Sequence, residues 1–422
     1  MSAIRKQMLP RAIALLLPLF GLILGCEHSM EWDGSLENLM ASQPGRFSTV
    51  LSNPEKYRVQ IIYTQIGRDA RNRPTFKSFN YHLNPDQYFY PASTVKLPTA
   101  LLALEKLHQL NIEGLTRDTT MLTGTATDSQ TPATTDPSSP TGLPSIGHYV
   151  RKILLVSDND AYNRLYEFIG QEDLNESLHR KGYQDTRIFH RLEVTRNPED
   201  NRATNPVKFV DGDTVIYDQP AQTSSTRYEG EAPVLLGSAE FVGGELLQRP
   251  KDFSFNNVFA LQDLHDVTLA LMFPNAVEEH RRFVLTEDDY EFIYRNMSGY
   301  PADSGISDYA DITQYPPGHV KFFMYGGSAP SIPENIRIFN KPGDAYGFLT
   351  DSAYIVDFES GIEFLLAASI YTNENETFND DDYEYEEIAL PFLRDLGLAI
   401  YEIELRRDRQ HSPDLSRVKL DR

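Results

Sequence analysis

The sequence predicts an α+β fold: an antiparallel sheet flanked by helices, with a separate helical subdomain. Two observations predict it. Stretches rich in β-branched and aromatic residues stand near both ends, over 57–67 (YRVQIIYTQIG) and over 336–371, and apolar helical segments fill the middle. Such an order puts segments from both chain ends into one sheet. The composition agrees. The chain has 422 residues, 40% of them hydrophobic and 11% aromatic, enough for a sizeable core and too apolar for a mainly disordered chain. With 39 Lys and Arg against 61 Asp and Glu, the net charge of −22 repels nucleic-acid backbones, so no nucleic-acid partner is expected. The single cysteine excludes internal disulfides and any Cys-based zinc site.

The elements follow in order. Arg5, Lys6 and Arg11 precede an apolar run over 12–24, shorter than the roughly 20 residues of a membrane span and shaped like a secretory signal. It ends Ile23-Leu24-Gly25-Cys26, which resembles a bacterial lipobox. That resemblance implies a lipoprotein signal peptide over 1–25, lipidation at Cys26, a tether over 26–45, and a body held by its lipid at an envelope membrane, facing the periplasm or the surface. The body is expected over 46–405. A helix is expected around 36–51, then a strand over 57–67 with a hairpin partner over 75–83. Residues 93–110 (STVKLPTALLALEKLHQL) read as a helix with Pro98 in its first turns, where the missing N–H matters least. The Thr-, Ser- and Pro-rich stretch 122–143 is a loop, followed by helices over 145–156 and 160–169. Past Pro206 come short strand-like pieces, then helices over 261–273 and 286–297. Residues 298–335 are loop-rich, 336–340, 347–358 and 362–371 are adjacent strands, 388–404 is the last helix, and 406–422 is a charged tail. The acidic run 374–387 is either a calcium site or a solvated loop leading into the last helix, and the composition favours the loop. The ten histidines are scattered without metal-ligand spacing, and no phosphate-binding glycine loop occurs.

Three short stretches carry chemistry. In Ser93-Thr94-Val95-Lys96, positions three apart share a helix face, so the Lys96 amine reaches the Ser93 hydroxyl. A serine needs a base to become a nucleophile, and a lysine serves when burial and neighbouring cations keep it neutral. Alone the spacing is weak evidence: Ser416-Arg417-Val418-Lys419 repeats it in the tail, and a helix cap accounts for Ser93 equally well. Ser157-Asp158-Asn159 lies between two helices and reads either as a turn with a cap or as a relay hydroxyl with an orienting amide. Lys341-Pro342-Gly343 is either a simple turn or a cation beside the serine, with a glycine that lets substrate approach a strand.

Taken in this order, the three stretches resemble the Ser-x-x-Lys, Ser-Asp-Asn and Lys-Thr-Gly signature set of class A β-lactamases and penicillin-binding proteins. The chain resembles the class A β-lactamase-like serine hydrolases, and YPASTVKLPTALLALEKL, ILLVSDNDAYNRLYEFIG and KPGDAYGFLTDSAYIVD share the family's texture around its motifs. The resemblance implies a β-lactamase/transpeptidase-like fold over 57–404, and two extra segments at about 207–258 and 299–335 read as insertions that either cover the cleft or merely decorate it. It also implies a loop with Arg-x-Glu, met here by Arg191-Leu192-Glu193 with Asn197 four residues on. Val194 stands where proline is usual. By resemblance Ser93 attacks an amide or ester carbonyl, Lys96 takes its proton, Ser157 and Lys341 relay it to the leaving group, and the N–H groups of Ser93 and Asp344 hold the oxyanion. Asn159 and Gly343 contact substrate, while Glu193 and Asn197 direct water. No metal or organic cofactor is implied. The substrate is a small molecule, a β-lactam or a peptidoglycan-derived compound.

The pattern departs from the family at the third stretch. Pro342 replaces a hydroxyl residue, Asp344 replaces a small one, and Phe348, Leu349 and Thr350 stand where an arginine is frequent. All three changes weaken recognition of a substrate carboxylate, each lost charged hydrogen bond being worth roughly 1.5–3 kcal/mol. The alternatives to a hydrolase are a D-alanyl-D-alanine carboxypeptidase of penicillin-binding type, or a non-catalytic envelope binding protein on the same scaffold.

Overall fold

The computed structural model describes residues 32–228, 233–327 and 329–420; the expected signal peptide 1–25 and Cys26 lie outside them. In place of one helix over 36–51 there are two, α1 (Leu36–Ala41) and α2 (Pro44–Leu51). Pro44 opens the second, since a residue without an N–H cannot continue the first. Leu36 and Met40 are buried, so the packed body begins inside the stretch expected to be a tether. The hairpin β1 (Gln60–Arg68) and β2 (Pro74–Tyr81) follows. A tight turn at Ala92–Val95 then runs into α3 (Lys96–Leu110).

The helical subdomain continues from β3 (Thr120–Thr123) through α4 (Ile146–Val156), α5 (Asn159–Ile169) and α6 (Gln171–Arg180) to the short α7 (Pro198–Arg202). The first inserted segment is two hairpin excursions. Strands β4 (Val207–Asp211) and β5 (Thr214–Gln219) extend β3 into a three-stranded sheet. Strands β6 (Leu235–Leu236), β7 (Ala239–Val242), β8 (Glu245–Leu247) and β9 (Lys251–Asp252) form the second excursion. Helices α8 (Leu261–Met272) and α9 (Glu287–Met297) come next, then a run of short turns before β10 (Ile336–Asn340). The chain closes with β11 (Gly343–Ala345), β12 (Phe348–Asp357), β13 (Ile362–Tyr371), β14 (Thr377–Phe378) and a last helix, Leu390–Arg406.

The main sheet is antiparallel in the order β10-β12-β13-β1-β2, with β11 also paired to β12. Its centre joins the two ends of the chain: Tyr63 of β1 sits opposite Leu366 of β13 and Phe79 of β2. Strands β12 and β13 are buried on both faces, because α8 covers one face and the last helix, with α2 beside it, covers the other. This is the α+β arrangement the sequence predicts.

Two stretches differ from expectation. The acidic run is not a free solvated loop. Its Phe378 is fully buried against Phe253, Tyr346 and Tyr371, and β14 pairs in parallel with β7 of the insertion. An aromatic side chain inside a charged stretch buys this anchorage through apolar burial. The charged tail also packs: Val418 is buried, and Arg337 donates to the Leu420 carbonyl at 2.5 Å. No helix among the described residues is long and apolar enough to cross a membrane.

Candidate active site

Ser93 sits in the turn before α3, and the residue ahead of it, Ala92, is held at φ 46°. A left-handed backbone at a residue with a Cβ is strained, and here it turns the chain sharply into the helix. Lys96 opens α3 and is 0% exposed. Its amine donates to Ser93 Oγ at 2.8 Å, to Ser157 Oγ at 3.1 Å and to the Ser157 carbonyl. Ser157 caps the C-terminus of α4 at φ 57°, and Asp158 caps the N-terminus of α5 through the Ala161 N–H at 2.7 Å. The two caps turn one helix directly into the next, which leaves the Ser157 hydroxyl facing both lysines. Lys341, 1% exposed, donates to Ser157 Oγ at 2.9 Å and to the Pro342 carbonyl at 2.8 Å. Four side chains from three distant stretches thus form one chain of hydrogen bonds, Ser93–Lys96–Ser157–Lys341.

Burial governs the charge of both amines. Desolvation, seconded by Lys341, holds Lys96 well below the usual lysine range. Desolvation also lowers Lys341 to about 8, opposed by Asp344 and Asp351. Behind Lys341 lies a buried polar layer. Asn340 donates to both Asp351 carboxylate oxygens, at 3.1 and 2.9 Å, and Lys321 donates to the Asn340 side chain at 2.8 Å.

Gly343 lies in tight contact with the serine turn. A Cβ there would lie 2.7 Å from the Ser93 nitrogen and 2.9 Å from the Pro91 oxygen and the Thr94 nitrogen. The close approach is that of the serine turn to β11, so the absence of a Cβ at this glycine is already required by the protein's own backbone. This contact sets the edge of β11, including the exposed Asp344, beside the first turn of the helix, whose N–H groups lack helical partners. Asp344 acts on both lysines, raising each. Pro342 is buried and presents only its carbonyl, which Lys341 occupies. Phe348, Leu349 and Thr350 are buried in β12.

Glu193 approaches from the other wall. It is exposed, at φ 60°, and accepts a 2.8 Å hydrogen bond from Asn159. Its loop is fixed from below. Arg191, itself buried, pairs with Glu167 at 3.1 Å and donates to the carbonyls of Asp200 and Ala203. Asn163 brackets Leu192 through the backbone on both sides, at 2.9 and 3.0 Å. Asn197 does not join Glu193. Its side chain caps α7 at the Asp200 N–H (2.8 Å) and donates to the Asp200 carboxylate (2.9 Å). The order Asn-Pro-Glu-Asp, a cap before an N1 proline and an acidic first turn, is the local signal for that role. The sequence reading overlooked Tyr385, which opens the turn before the last helix and accepts from the Gly347 N–H at 2.9 Å. Among the described residues no group of three or more His, Cys, Asp or Glu is arranged to hold a metal ion.

Residues 47–226 match the beta-lactamase enzyme family. Similar solved structures include a β-lactamase from Sphaerobacter thermophilus (14% identity, TM-score 0.46, covering 88% of this chain and 97% of that one). PBP-A is another (15%, 0.48, 88% and 97%), as is a β-lactamase from Burkholderia phymatum (14%, 0.45, 87% and 99%). No curated protein matches the sequence. The matched stretch, residues 47–226, holds Ser93, Lys96, Ser157 and Glu193 and is similar to the beta-lactamase enzyme family.

Proposed function

We propose that the protein is a serine hydrolase that cleaves an amide or ester through an acyl-enzyme on Ser93. The observation that carries this is the unbroken hydrogen-bonded chain from Ser93 Oγ through two buried lysines. Neutral Lys96 takes the Ser93 proton as Oγ bonds to the carbonyl carbon. The N–H groups of Ser93 and Asp344 stabilise the oxyanion. Ser157 passes a proton to the leaving group as its bond to carbon breaks, and cationic Lys341 supports the relay. Glu193 then takes a proton from water as it attacks the acyl carbon, and that proton returns to Ser93 Oγ as the Oγ–carbon bond breaks.

The substrate we infer carries no carboxylate on its leaving side. At that edge Pro342 lacks a hydroxyl, β12 supplies no arginine, and Asp344 adds a negative charge. An anchored location through Cys26 at the bacterial envelope, with a small-molecule or peptidoglycan-derived substrate, is part of the same proposal. Intact mass after treatment with a fluorophosphonate and with benzylpenicillin tests it. The expected result is a Ser93 adduct with the fluorophosphonate and slow, weak acylation by the penicillin. Absence of both adducts overturns the hydrolase, a long-lived penicillin adduct favours a carboxypeptidase type, and fast nitrocefin turnover overturns the substrate assignment.

A further inference from the structure

A cavity of about 790 Å³ opens beside the site, lined by the loop that carries Glu193 and by Arg227, Tyr228, Lys251, Phe255 and Asn256 of the inserted segment. It does not include Ser93; it meets the active site through Glu193, Tyr90 and Tyr346, which all line it. The Tyr90 ring lies 5.0 Å from Tyr346, edge to face, and stacks on His190 at 6.2 Å. Those rings form a continuous wall leading away from the nucleophile.

Most charges lining the cavity are matched. Arg202 and Arg227 both pair with Glu199, and Arg191 pairs with Glu167 beneath the loop. Arg196 has no ion-pair partner among the described residues, and Lys251 has only a long one. Arg196 donates only to Ser129 Oγ, at 3.3 Å, with no carboxylate in ion-pair reach among the described residues. Lys251 lies over the Tyr346 ring at 4.9 Å, and the carboxylate nearest to it, Glu240, is 3.8 Å away. Burial lowers both groups, so each gains from an incoming anion. In a chain with a net charge of −22, two poorly neutralised cations in one concavity form a local attractor against the general field.

We propose that this cavity is a subsite for a carboxylate on the acyl side of the substrate. The inference rests on the hydrolase reading above. The leaving group faces Ser157 and Lys341, whereas the cavity opens on the Glu193 side. Whatever enters it therefore stays attached to Ser93 after the leaving group departs. The first inserted segment is then a specificity element, since it supplies Lys251 and one wall.

The test compares two activated esters, p-nitrophenyl hydrogen glutarate, whose acyl chain ends in a carboxylate, and p-nitrophenyl butyrate, which is neutral. The expected result is a KM about tenfold lower for the half-ester, a preference that Arg196→Gln and Lys251→Gln each abolish while butyrate kinetics stay within about twofold. Lys251→Arg should keep the preference. Equal handling of the two esters by the unmodified protein, or variants that slow both alike, overturns the subsite. Should neither ester be cleaved, the hydrolase reading fails and calorimetry of glutarate with the Ser93→Ala protein decides the subsite. Saturable binding that is lost on adding Lys251→Gln upholds it, and no binding overturns it.

Discussion

The two walls of the cleft are built on opposite principles. On one, Lys96 and Lys341 are sealed from solvent and tied to Ser93 and Ser157 by short hydrogen bonds. On the other, Glu193 and Asn197 are exposed, as is Asp344 at the β11 edge of the first, and Glu193 and Asn197 have partners other than those the family pattern suggests. Burial of two amines is costly unless their charge state is what the chemistry uses, so the sealed wall bears the marks of a nucleophile generator. The open wall instead presents exposed polar side chains held by the loop's own caps and backbone contacts.

The largest break between the walls comes from Lys96→Ala. Acylation by a fluorophosphonate should fall about 10³-fold, followed by stopped-flow or intact mass, because the Ser93 proton loses its acceptor. Glu193→Gln should leave acylation nearly intact and slow deacylation about 10²-fold, seen as an accumulating acyl adduct. Equal losses in both steps would mean that Glu193 does not act on water.

The pH profile sharpens the sealed wall. Lys341 titrates at about 8 and is cationic only below that value. Acylation should therefore decline above pH 8, by about tenfold per unit. Lys341→Arg should push that alkaline limb upward, since a guanidinium stays charged. An unmoved limb would remove Lys341 from the relay.

Smaller effects test the open wall. Asp344→Thr should raise acylation by benzylpenicillin about tenfold, some 1.4 kcal/mol, without changing a neutral ester. Asn197→Ala should cost about 1 kcal/mol of stability by thermal denaturation through loss of a helix cap, with deacylation almost unaffected. A deacylation defect of the size seen with Glu193→Gln would restore Asn197 to the water site.

Much of this architecture is legible in the residues. The β-branched and aromatic stretches marked β1, β12 and β13, and the serine–lysine spacing, Ser157 and Lys341 are the groups that converge. Helix α6 was missed because QEDLNESLHR carries only two leucines, and it is ordered by burying Leu174 and Leu178 against its neighbours. The break between α1 and α2 was written in Pro44, which an apolar pattern masks. The capping role of Asn197 was legible in Asn-Pro-Glu-Asp but stood behind the motif match. Lys251 and Arg196 carry no local signature at all. Their meeting depends on how the inserted excursion folds over the loop, which is tertiary information.

The pairing of β1 with β13, Gln60 against Ser369, has a consequence for biogenesis. A ribosome delivers Ser93 long before Lys341, and the sheet that brings them together waits for the last strands of the chain. Contacts of such long sequence separation form slowly. A chain cut short before β13 lacks the strand that joins the N-terminal hairpin to β12 and β10, and so lacks a continuous central sheet.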